Sequence, residues 1–432
     1  MELRAVKGMN DILPGEIERW HALESAFHRH VSLYGYAEAR TPILEHTAVF
    51  SRQMGETSDV VEKEMYSFQR HSDELTVRPE GTAGLARAYV EHSIHAKEPV
   101  TRWHYVGPMF RGERPAKGRY RQFYQAGCEL YGDPGPFSDA EMIEMLVSFL
   151  ARIGIPDVAV HINSLGAGGT RERYREVLVE HFTPRRAQLS EDSQRRLEKN
   201  PLRILDSKDP RDKEAAAGVP SILDLLTDDD RAHWTTLLAH LEALGVRAVV
   251  DPTLVRGLDY YTRTIFELRA TSGELGAQST LVAGGRYDNM IESLGGPKVP
   301  AIGFAAGMER LLLSTPMGAE KRAPRCFIAP LGPGAAPRAL MLSRELRAAG
   351  IPTDVEGRGS SMRAMLRRAD SLGARLCVVL GDAELSRGVV QLKDLAARTQ
   401  EEVPIEEAVR AVGERLAREP AQAPANPGEG TR

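Results

Sequence analysis

The stretch GPMFRGERPAKGRYRQFYQ, residues 107–125, predicts how the first part of the chain folds. It overlaps two runs of strand-type residues, Trp103–Arg111 and Phe123–Leu130, and joins them through a basic loop that contains Gly and Pro. This order of strand, loop and returning strand is typical of an antiparallel hairpin. Helical patterns flank it, over Thr82–Glu91 and Asp139–Arg152. We therefore expect an α+β fold in which an antiparallel sheet is flanked by helices.

The character of the sequence changes twice beyond this hairpin. Residues 169–245 are charged, helical in pattern and poor in β-branched residues, which predicts a helical insertion in a domain of residues 1–320. Residues 314–324 are rich in Gly, Pro and charge, and strand and helix patterns alternate after them. That alternation predicts a small, mostly parallel α/β domain over residues 324–415. The tail, residues 419–432, is rich in Ala, Pro and Gly, and its composition predicts disorder.

Composition and charge argue against several classes of protein. The 432 residues are 42% hydrophobic and 27% charged, as in an ordinary globular protein. No apolar run reaches the roughly 20 residues that cross a bilayer, and the N-terminus lacks the apolar core of a signal peptide. We therefore expect a cytoplasmic protein that makes no use of a membrane. Cys128, Cys326 and Cys377 form no CxxC pair, which argues against a zinc site or a disulfide framework.

A local excess of positive charge lies within a chain whose net charge is −4. Residues 101–131 contain six Lys and Arg but only two Glu. The sequence has no GxxxxGK[ST] phosphate loop, so arginines would have to hold any nucleotide. Arg111 would grip a phosphate and Phe123 would stack on a base, with Glu113 and Arg119 in the loop between them. The alternative is a solvated, charged face.

A second cluster of chemically useful residues is Arg256-Gly-Leu-Asp-Tyr-Tyr261. Arginine is always charged, and its five fixed donors match a carboxylate or a phosphate. Two adjacent tyrosines supply both a wall and hydroxyls for an aromatic or imidazole ligand. The residues that follow predict a strand, so this cluster would lie in a loop that enters a sheet. The alternative for Arg256 is a surface salt bridge to Asp259.

These segments resemble the motifs of class II aminoacyl-tRNA synthetases. Residues 107–125 resemble motif 2, most closely its histidyl version, and the RGLDYY run resembles the histidine-specific signature. Tyr34–Glu45 is similar to motif 1, the dimer element. Ala301–Leu313 is similar to motif 3, a strand followed by a helix that carries Arg310. The resemblance covers residues 8 to about 415 and is to the histidyl-tRNA synthetase family.

The resemblance implies a role for each candidate residue. Arg111 would bind the α-phosphate of ATP as a catalytic residue, and Arg310 would bind the γ-phosphate. Arg256, also catalytic, would lie beside the α-phosphate and the histidine carboxylate. Glu129 and Tyr261 would bind the two imidazole nitrogens. The remaining implied contacts are Glu113, Arg119 and Phe123 for ATP, and Glu80, Thr82, Gln125, Tyr260 and Tyr287 for histidine.

The activity that the resemblance implies is a two-step ligation. Histidine and ATP, with Mg2+ accompanying the ATP, would give histidyl-adenylate and pyrophosphate. Histidine would then pass to the 3′ end of tRNA(His). Because class II enzymes of this group are dimers, a homodimer is implied. The C-terminal domain would bind the anticodon, and its candidate RNA-facing cations are Arg358, Arg363, Arg367 and Arg368.

Several alternatives remain open on the sequence alone. Chains that resemble this family also serve as non-catalytic regulatory subunits of the first enzyme of histidine biosynthesis, although the ATP arginines and the C-terminal domain favour the enzyme. A class II synthetase for another amino acid would share the general motifs but not the RGLDYY run. Locally, Glu80 and Thr82 also suit the first turn of a helix, and Arg310 a helix surface. Ala116 replaces a Gln that many bacterial relatives carry in the motif 2 loop, so recognition of the tRNA acceptor end stays open.

Overall fold

The computed structural model describes most of the chain, namely residues 3–54, 60–271, 280–318 and 325–418. The chain divides into two compact units, Met1–Ala319 and Glu320–Arg432. The tail that is predicted to be disordered, residues 419–432, lies outside the described residues. In the described part of the chain, none of the helices combines the length and the apolar character that spanning a membrane requires.

Helices and strands are mixed along the first unit. Its described strands are β1 (Ala37–Glu38), β2 (Leu44–His46), β3 (Tyr66–Arg70), β4 (Asp73–Val77), β5 (Thr101–Phe110), β6 (Gln122–Tyr131), β7 (Val158–Ser164), β8 (Ala248–Val250), β9 (Thr262–Ala270), β10 (Thr280–Arg286) and β11 (Ala301–Gly307). Its described α-helices are α1 (Ile17–Ser32), α2 (Thr47–Met54), α3 (Thr82–Glu91), α4 (Pro136–Arg152), α5 (Gly168–Phe182), α6 (Glu191–Lys199), α7 (Pro210–Ala215), α8 (Asp228–Ala243), α9 (Met290–Ser293) and α10 (Met308–Ser314). The segment predicted as a helical insertion holds α5 to α8.

One large sheet organises this unit. Within the described residues its strand order is β1-β5-β6-β11-β10-β9-β7-β8. The neighbouring strands are antiparallel except at the two edges, where β1 pairs with β5 and β7 with β8 in parallel. The structure therefore confirms the predicted antiparallel sheet and its motif 2 hairpin. A small antiparallel sheet of β2, β4 and β3 lies beside it.

The two faces of the large sheet differ because side chains alternate along each strand. One face packs against α1, α4 and α8, in a hydrophobic core to which β6 contributes Ala126 and Cys128. The other face carries Gln125 from β6, Glu267 from β9 and Gly303 from β11, and these residues line a cavity. The helices therefore cover the back of the sheet and leave its front for polar side chains.

The second unit is a smaller α/β domain. Its described strands are β12 (Cys326–Leu331), β13 (Thr353–Val355), β14 (Leu376–Gly381), β15 (Val389–Asp394) and β16 (Thr399–Pro404), and its described helices are α11 (Ala335–Ala348), α12 (Met362–Ser371), α13 (Asp382–Ser386) and α14 (Ala408–Ala417). The strand order is β13-β12-β14-β15-β16. The first three strands are parallel, as predicted, and the last two add an antiparallel hairpin. The sequence prediction missed this hairpin because β16, whose sequence is TQEEVP, is mostly exposed and has little of the apolar alternation that marks a strand.

Candidate active site

A cavity of about 670 Å3 opens on the front of the large sheet. Its walls come from the β5–β6 hairpin, from β9, β10, β11 and α10, and from the loop that carries the RGLDYY run. The insertion adds residues 205–208 and Lys213. The predicted site residues that line it are Glu80, Thr82, Arg111, Glu113, Arg119, Phe123, Gln125, Arg256, Tyr260, Tyr261, Tyr287 and Arg310. The structure thus brings together all of the predicted site residues except Glu129.

Glu129 lies directly behind the cavity wall and is completely buried. One carboxylate oxygen accepts a hydrogen bond from Thr82 Oγ1 at 2.7 Å, and the other accepts one from the Tyr287 hydroxyl. A Cβ atom at Gly303 would overlap the Glu129 carboxylate, so only glycine leaves room for it there. Burial raises the pKa of Glu129 well above its usual value, although the hydrogen bonds from Tyr287 and Thr82 oppose this effect. Glu129 therefore reaches the cavity through two hydroxyls.

Tyrosine rings form the wall beside these hydroxyls. Tyr260 packs against Tyr261 with ring centroids 4.6 Å apart, and it meets Tyr287 edge-on with centroids 5.6 Å apart. Gln125 Oε1 is buried and accepts no hydrogen bond from the residues that the structure describes. Because a buried acceptor without a partner is costly, it indicates a position where a bound molecule supplies the donor. This end of the cavity suits a flat ligand that carries N–H groups.

Glu80 caps a helix as well as lining the cavity. Its carboxylate accepts hydrogen bonds from the backbone N–H groups of Thr82 at 2.6 Å and Ala83 at 2.8 Å, where α3 begins. Burial raises the pKa of Glu80, and these backbone hydrogen bonds oppose the rise. Glu80 therefore stabilises the start of α3 from a position before its first turn, since the helix begins at Thr82. Thr82 differs, because its hydroxyl points to Glu129 rather than to its own helix.

Arg111 and Phe123 form one unit at the base of the motif 2 hairpin. Arg111 Nε donates to the carbonyl oxygen of Pro79 at 2.9 Å, which fixes the side chain. Its guanidinium lies over the Phe123 ring, 5.3 Å from the centroid. A cation over an aromatic face is a favourable contact. One face of Phe123 is thus covered by Arg111, and an aromatic base would have to use the other face.

Arg310 lines the cavity instead of pointing away along its helix. Its Nε donates to the carbonyl oxygen of Gly118 at 3.2 Å, and another guanidinium N–H donates to that of Thr280 at 2.8 Å. Burial lowers the pKa of Arg310, and the positive charge of Arg119 lowers it further. Arg119 itself pairs with Glu113 at 3.2 Å. These contacts contradict the helix-surface alternative and place three guanidinium groups, with that of Arg111, around one part of the cavity.

Arg256 pairs with a residue that the sequence analysis missed. Its guanidinium forms an ion pair with Glu267 and lies over the ring of Tyr261, 5.8 Å from the centroid. Asp259, the partner in the salt-bridge alternative, instead accepts a hydrogen bond from Asn200 Nδ2 at 2.7 Å. That alternative is therefore wrong. Arg256 joins the tyrosine wall on one side to a carboxylate on the other.

Glu267, Arg269 and Glu309 are among the charged residues of the cavity wall that were not predicted. Glu267 also accepts from Arg269 Nε at 2.9 Å, and both side chains lie on the cavity face of β9. Alternation along the strand from Ile265 would have placed both on one face. Glu309 accepts a hydrogen bond from the backbone N–H of Tyr124 at 2.9 Å, and burial raises the pKa of Glu309 to about 7. Its position beside Arg310 in the sequence was the available signal.

The four candidate RNA-binding arginines of the second unit differ in their contacts. Arg358 pairs with Glu356 at 2.9 Å, and its hydrogen bonds lower the pKa of Glu356 to about 2. Arg368 lies 3.7 Å from Asp354. Arg363 and Arg367 are exposed and stand four residues apart on α12, where they share one face of the helix. Arg363 and Arg367 are the better candidates for phosphate contacts, because Arg358, although also exposed, already pairs with Glu356.

Comparisons with known proteins agree with this geometry. The family model described as histidyl-tRNA synthetase matches residues 8–311, and an anticodon binding domain model matches residues 325–415. The histidine–tRNA ligase of Sorangium cellulosum is 68% identical over 97% of this chain and 98% of its own length. That of Geobacter sulfurreducens is 45% identical over 93% of this chain and 97% of its own length.

Solved structures give the same answer. The apo histidyl-tRNA synthetase of S. aureus matches with a TM-score of 0.80 and 34% identity, over 95% of this chain and 100% of that chain. An ATP phosphoribosyltransferase regulatory subunit/histidyl-tRNA synthetase from Bacillus halodurans shares the fold, with a TM-score of 0.64 at 23% identity over 88% of this chain and 99% of that chain. The motif 2 hairpin, the RGLDYY loop and these matches together show that the chain belongs to the histidyl-tRNA synthetase family.

Proposed function

We propose that the cavity joins L-histidine to ATP, forming histidyl-adenylate and pyrophosphate, and then passes histidine to the 3′ end of tRNA(His). Family membership makes the chain an aminoacyl-tRNA ligase for histidine. It also rules out the regulatory-subunit alternative, since the histidine–tRNA ligase relatives match nearly the whole chain at 68% and 45% identity. The likeness to a protein whose name includes a regulatory subunit is much weaker, at 23%.

One observation carries the assignment of the cavity: Arg256 connects two chemically different ends. On one side it lies over Tyr261, next to the wall of phenols and the hydroxyls that reach Glu129. On the other side it pairs with Glu267, whose negative charge also acts on Arg310. A substrate with an imidazole would occupy the first end and a triphosphate the second. The carboxylate and α-phosphorus that must react would then meet at Arg256.

The activation step brings two anions together, which is its main electrostatic problem. A carboxylate oxygen of histidine must approach the α-phosphorus of ATP, while pyrophosphate leaves. Arg256 would lower the repulsion between them and would stabilise the charge that develops in the transition state. Arg111 would hold the α-phosphate and Arg310 the γ-phosphate, so that the leaving group is also oriented. Arg119 and Glu113 would order the loop above the nucleotide.

Recognition of the histidine side chain would depend on the buried hydroxyl and carboxyl groups. Tyr261, and Glu129 acting through the hydroxyls of Thr82 and Tyr287, would together satisfy both nitrogens of an imidazole ring. Gln125 Oε1, buried and without a partner in the described structure, would accept from a donor of the same substrate. Tyr260 and Tyr287 would close the pocket around the ring. Glu80, despite its capping bonds, has a carboxylate on the cavity wall that would attract the α-ammonium group.

The donors around the triphosphate end fit a magnesium ion that arrives with ATP. Protein-bound Mg2+ usually keeps several waters and is held by substrate phosphates and one or two carboxylates. The cavity offers Glu113 and Glu309 as such carboxylates. When bound, the ion would neutralise charge on the phosphates.

The remaining parts of the proposal concern RNA, assembly and location. We propose that the second unit binds the anticodon of tRNA(His) through the exposed face of α12, which carries Arg363 and Arg367. We further propose a homodimer built on Tyr34–Glu45 and a cytoplasmic location, both of which family membership supports. Replacing both arginines by Ala should weaken charging of tRNA and reduce its salt dependence, while histidine activation is unchanged. Arg358→Ala is the matched control, because Arg358 is already paired with Glu356.

Amino-acid-dependent exchange between ATP and pyrophosphate tests the function itself. All twenty amino acids should be assayed, and only histidine is expected to support exchange. Exchange with none of them would overturn the enzyme assignment, and exchange with another amino acid would overturn the histidine assignment. Transfer of labelled histidine to tRNA(His) then tests the second step separately.

A further inference from the structure

The loop that carries the RGLDYY run is held in place by the insertion. Residues 251–261 connect β8 to β9, and over this described stretch the backbone forms turns but neither helix nor strand. Backbone carbonyls in such a loop need donors from elsewhere when they lie in the interior. Side chains of the insertion supply several of them.

Arg203 holds the catalytic end of this loop. One of its guanidinium N–H groups donates to the backbone carbonyl of Arg256 at 2.8 Å. The same guanidinium lies against Gly257, where a Cβ atom would be 3.5 Å from it. Only 8% of Arg203 is exposed, so this contact is made in the interior. The backbone of Arg256 is thus fixed by Arg203 while its side chain is fixed by Glu267.

Two other side chains of the insertion hold the tyrosine end. Arg171, on α5, donates to the carbonyls of Asp259 and Tyr261, each at 3.1 Å. Burial lowers the pKa of Arg171, and the nearby Asp259 opposes this. Asn200, at the end of α6, donates to the Asp259 carboxylate at 2.7 Å. The three donors come from different elements of the insertion and converge on six consecutive residues.

We propose that Arg203, Arg171 and Asn200 form a loop clamp: they are positioning residues through which the insertion sets the geometry of Arg256 and Tyr261. This inference rests on the proposed roles of Arg256 in activation and of Tyr261 in binding histidine. Arg203 acts on the backbone of the catalytic arginine, and Arg171 on that of the histidine-binding tyrosine. The two ends of the clamp therefore control different kinetic quantities.

A displacement of reacting groups by about 1 Å can cost on the order of 100-fold in rate. Arg203→Met removes the donor and keeps the length of the side chain. It should lower the single-turnover rate of adenylate formation by about 10- to 100-fold, with little change in the KM for ATP. Arg171→Met should instead raise the KM for histidine, because it releases Tyr261. A purely structural role would change both quantities together and would not separate the two variants.

The matched control is Arg185→Met. Arg185 is a half-buried arginine of the insertion, like Arg171, and it donates to the carbonyl of His181 at 2.6 Å, away from the loop. Its replacement should leave the rate of adenylate formation and the KM for histidine unchanged. Melting temperatures are measured for all variants. If Arg203→Met is unfolded at the assay temperature, Arg203→Lys takes its place with the same expectation of a lowered rate, and Asn200→Ala, at the tyrosine end, should raise the KM for histidine as Arg171→Met does.

A double-mutant cycle with Arg256→Ala shows whether Arg203 acts by positioning Arg256 or independently of it. If Arg203 acts through Arg256, Arg203→Met should cause little further loss of rate when Arg256 is already Ala. Losses that multiply in the double variant would overturn the loop clamp. A near-normal rate in Arg256→Ala alone would overturn the proposed catalytic role of Arg256, and the inference with it. The single and double variants therefore distinguish the two failures.

Discussion

The two ends of the cavity solve opposite electrostatic problems. The imidazole end consists of Thr82, Glu129 and three tyrosines, and its buried carboxyl is satisfied by neutral hydroxyl groups. The phosphate end is lined by arginines whose guanidinium groups are anchored to backbone carbonyls, as for Arg111 and Arg310. At the first end, burial disfavours the charged form of the acid. At the second, several cations are kept close together.

This difference shows how each end of the cavity would select its ligand. At the imidazole end, hydroxyls around a buried carboxyl would bind a small ring through its shape and its hydrogen-bond donors. A ligand that lacks those donors would leave polar groups unpaired and would therefore bind more weakly. At the phosphate end, fixed guanidinium groups would bind negative charge, so they would bind the triphosphate group of any nucleotide. The general adenylating chemistry therefore belongs to one end and the choice of amino acid to the other, with Arg256 between them.

The largest effect is expected where the two ends meet. Arg256→Ala should reduce the rate of adenylate formation by about 10²- to 10³-fold, which corresponds to roughly 3–4 kcal/mol, because it removes a preorganised cation at the reacting centre. Single-turnover formation of histidyl-adenylate measures this loss. Arg256→Lys keeps the charge but not the planar fork, and should fall between Ala and the unchanged protein. A near-normal rate for Arg256→Ala would show that the residue is structural.

The sequence predicted this meeting point better than it predicted the partners of Arg256. Long, unusual motifs located the hairpin, the RGLDYY loop and 12 of the residues that line the cavity, because each motif is read from local residues. The ion pair of Arg256 with Glu267, and its anchoring by Arg203, join residues 11 and 53 positions apart. No local pattern encodes such pairs. The first pair depends on how the RGLDYY loop lies over β9 and the second on how the insertion packs against that loop, and the single sequence carried no signal for either.

The sequence can predict which side chains share a face of a strand, but it could not predict the burial and the raised pKa of Glu129. Alternation along β6 places Gln125 and Glu129 on the same side. Yet Glu129 lies behind the wall, since Thr82, Tyr287 and Gly303 come from three other elements and cover it. Its raised pKa results from that enclosure. Only the assembled structure shows that the carboxyl acts through hydroxyl groups.

The next largest effect tests the imidazole end. Glu129→Gln keeps the size, but one of the two acceptor oxygens becomes an NH2 group, which cannot accept the hydrogen bond from Thr82 or Tyr287. A buried hydrogen-bonding group left without its partner costs about 1–3 kcal/mol, so the KM for histidine should rise by about 5- to 150-fold. The KM for ATP should stay the same, because Glu129 is buried at the other end. Pyrophosphate exchange at varied histidine and varied ATP measures both constants.

Tyr287→Phe is the companion variant, since it removes one of the two hydroxyls that bind Glu129. It should raise the KM for histidine by a smaller factor, about 3- to 10-fold, as expected for one hydrogen bond. If either variant changed the KM values for histidine and ATP equally, the division of the cavity into two ends would be wrong.

The last effect is on stability rather than on catalysis. It concerns Glu309, a carboxyl group that lies among the arginines of the phosphate end. Burial raises the pKa of Glu309 from 4.5 to about 7, so the folded protein holds this proton more tightly than the unfolded chain. The contribution of Glu309 to stability is therefore greatest below pH 4.5, and this contribution is lost as the pH rises from 4.5 to about 7. For a fully buried group with this pKa, the free energy of unfolding would fall by about 3 kcal/mol. Because Glu309 is half-buried, the fall should be about 1–2 kcal/mol.

Glu309→Gln cannot ionise, but its amide oxygen can still accept the hydrogen bond from Tyr124 N–H. The variant should therefore melt higher than the unchanged protein at pH 8 and at nearly the same temperature at pH 4.5, as calorimetry at the two pH values would show. Glu113→Gln is the control: Glu113 already pairs with Arg119, so its loss should bring no gain at pH 8. Equal melting temperatures of Glu309→Gln and the unchanged protein at pH 8 would contradict this prediction. They would mean that the nearby arginines offset the cost of burying an ionised Glu309 carboxylate.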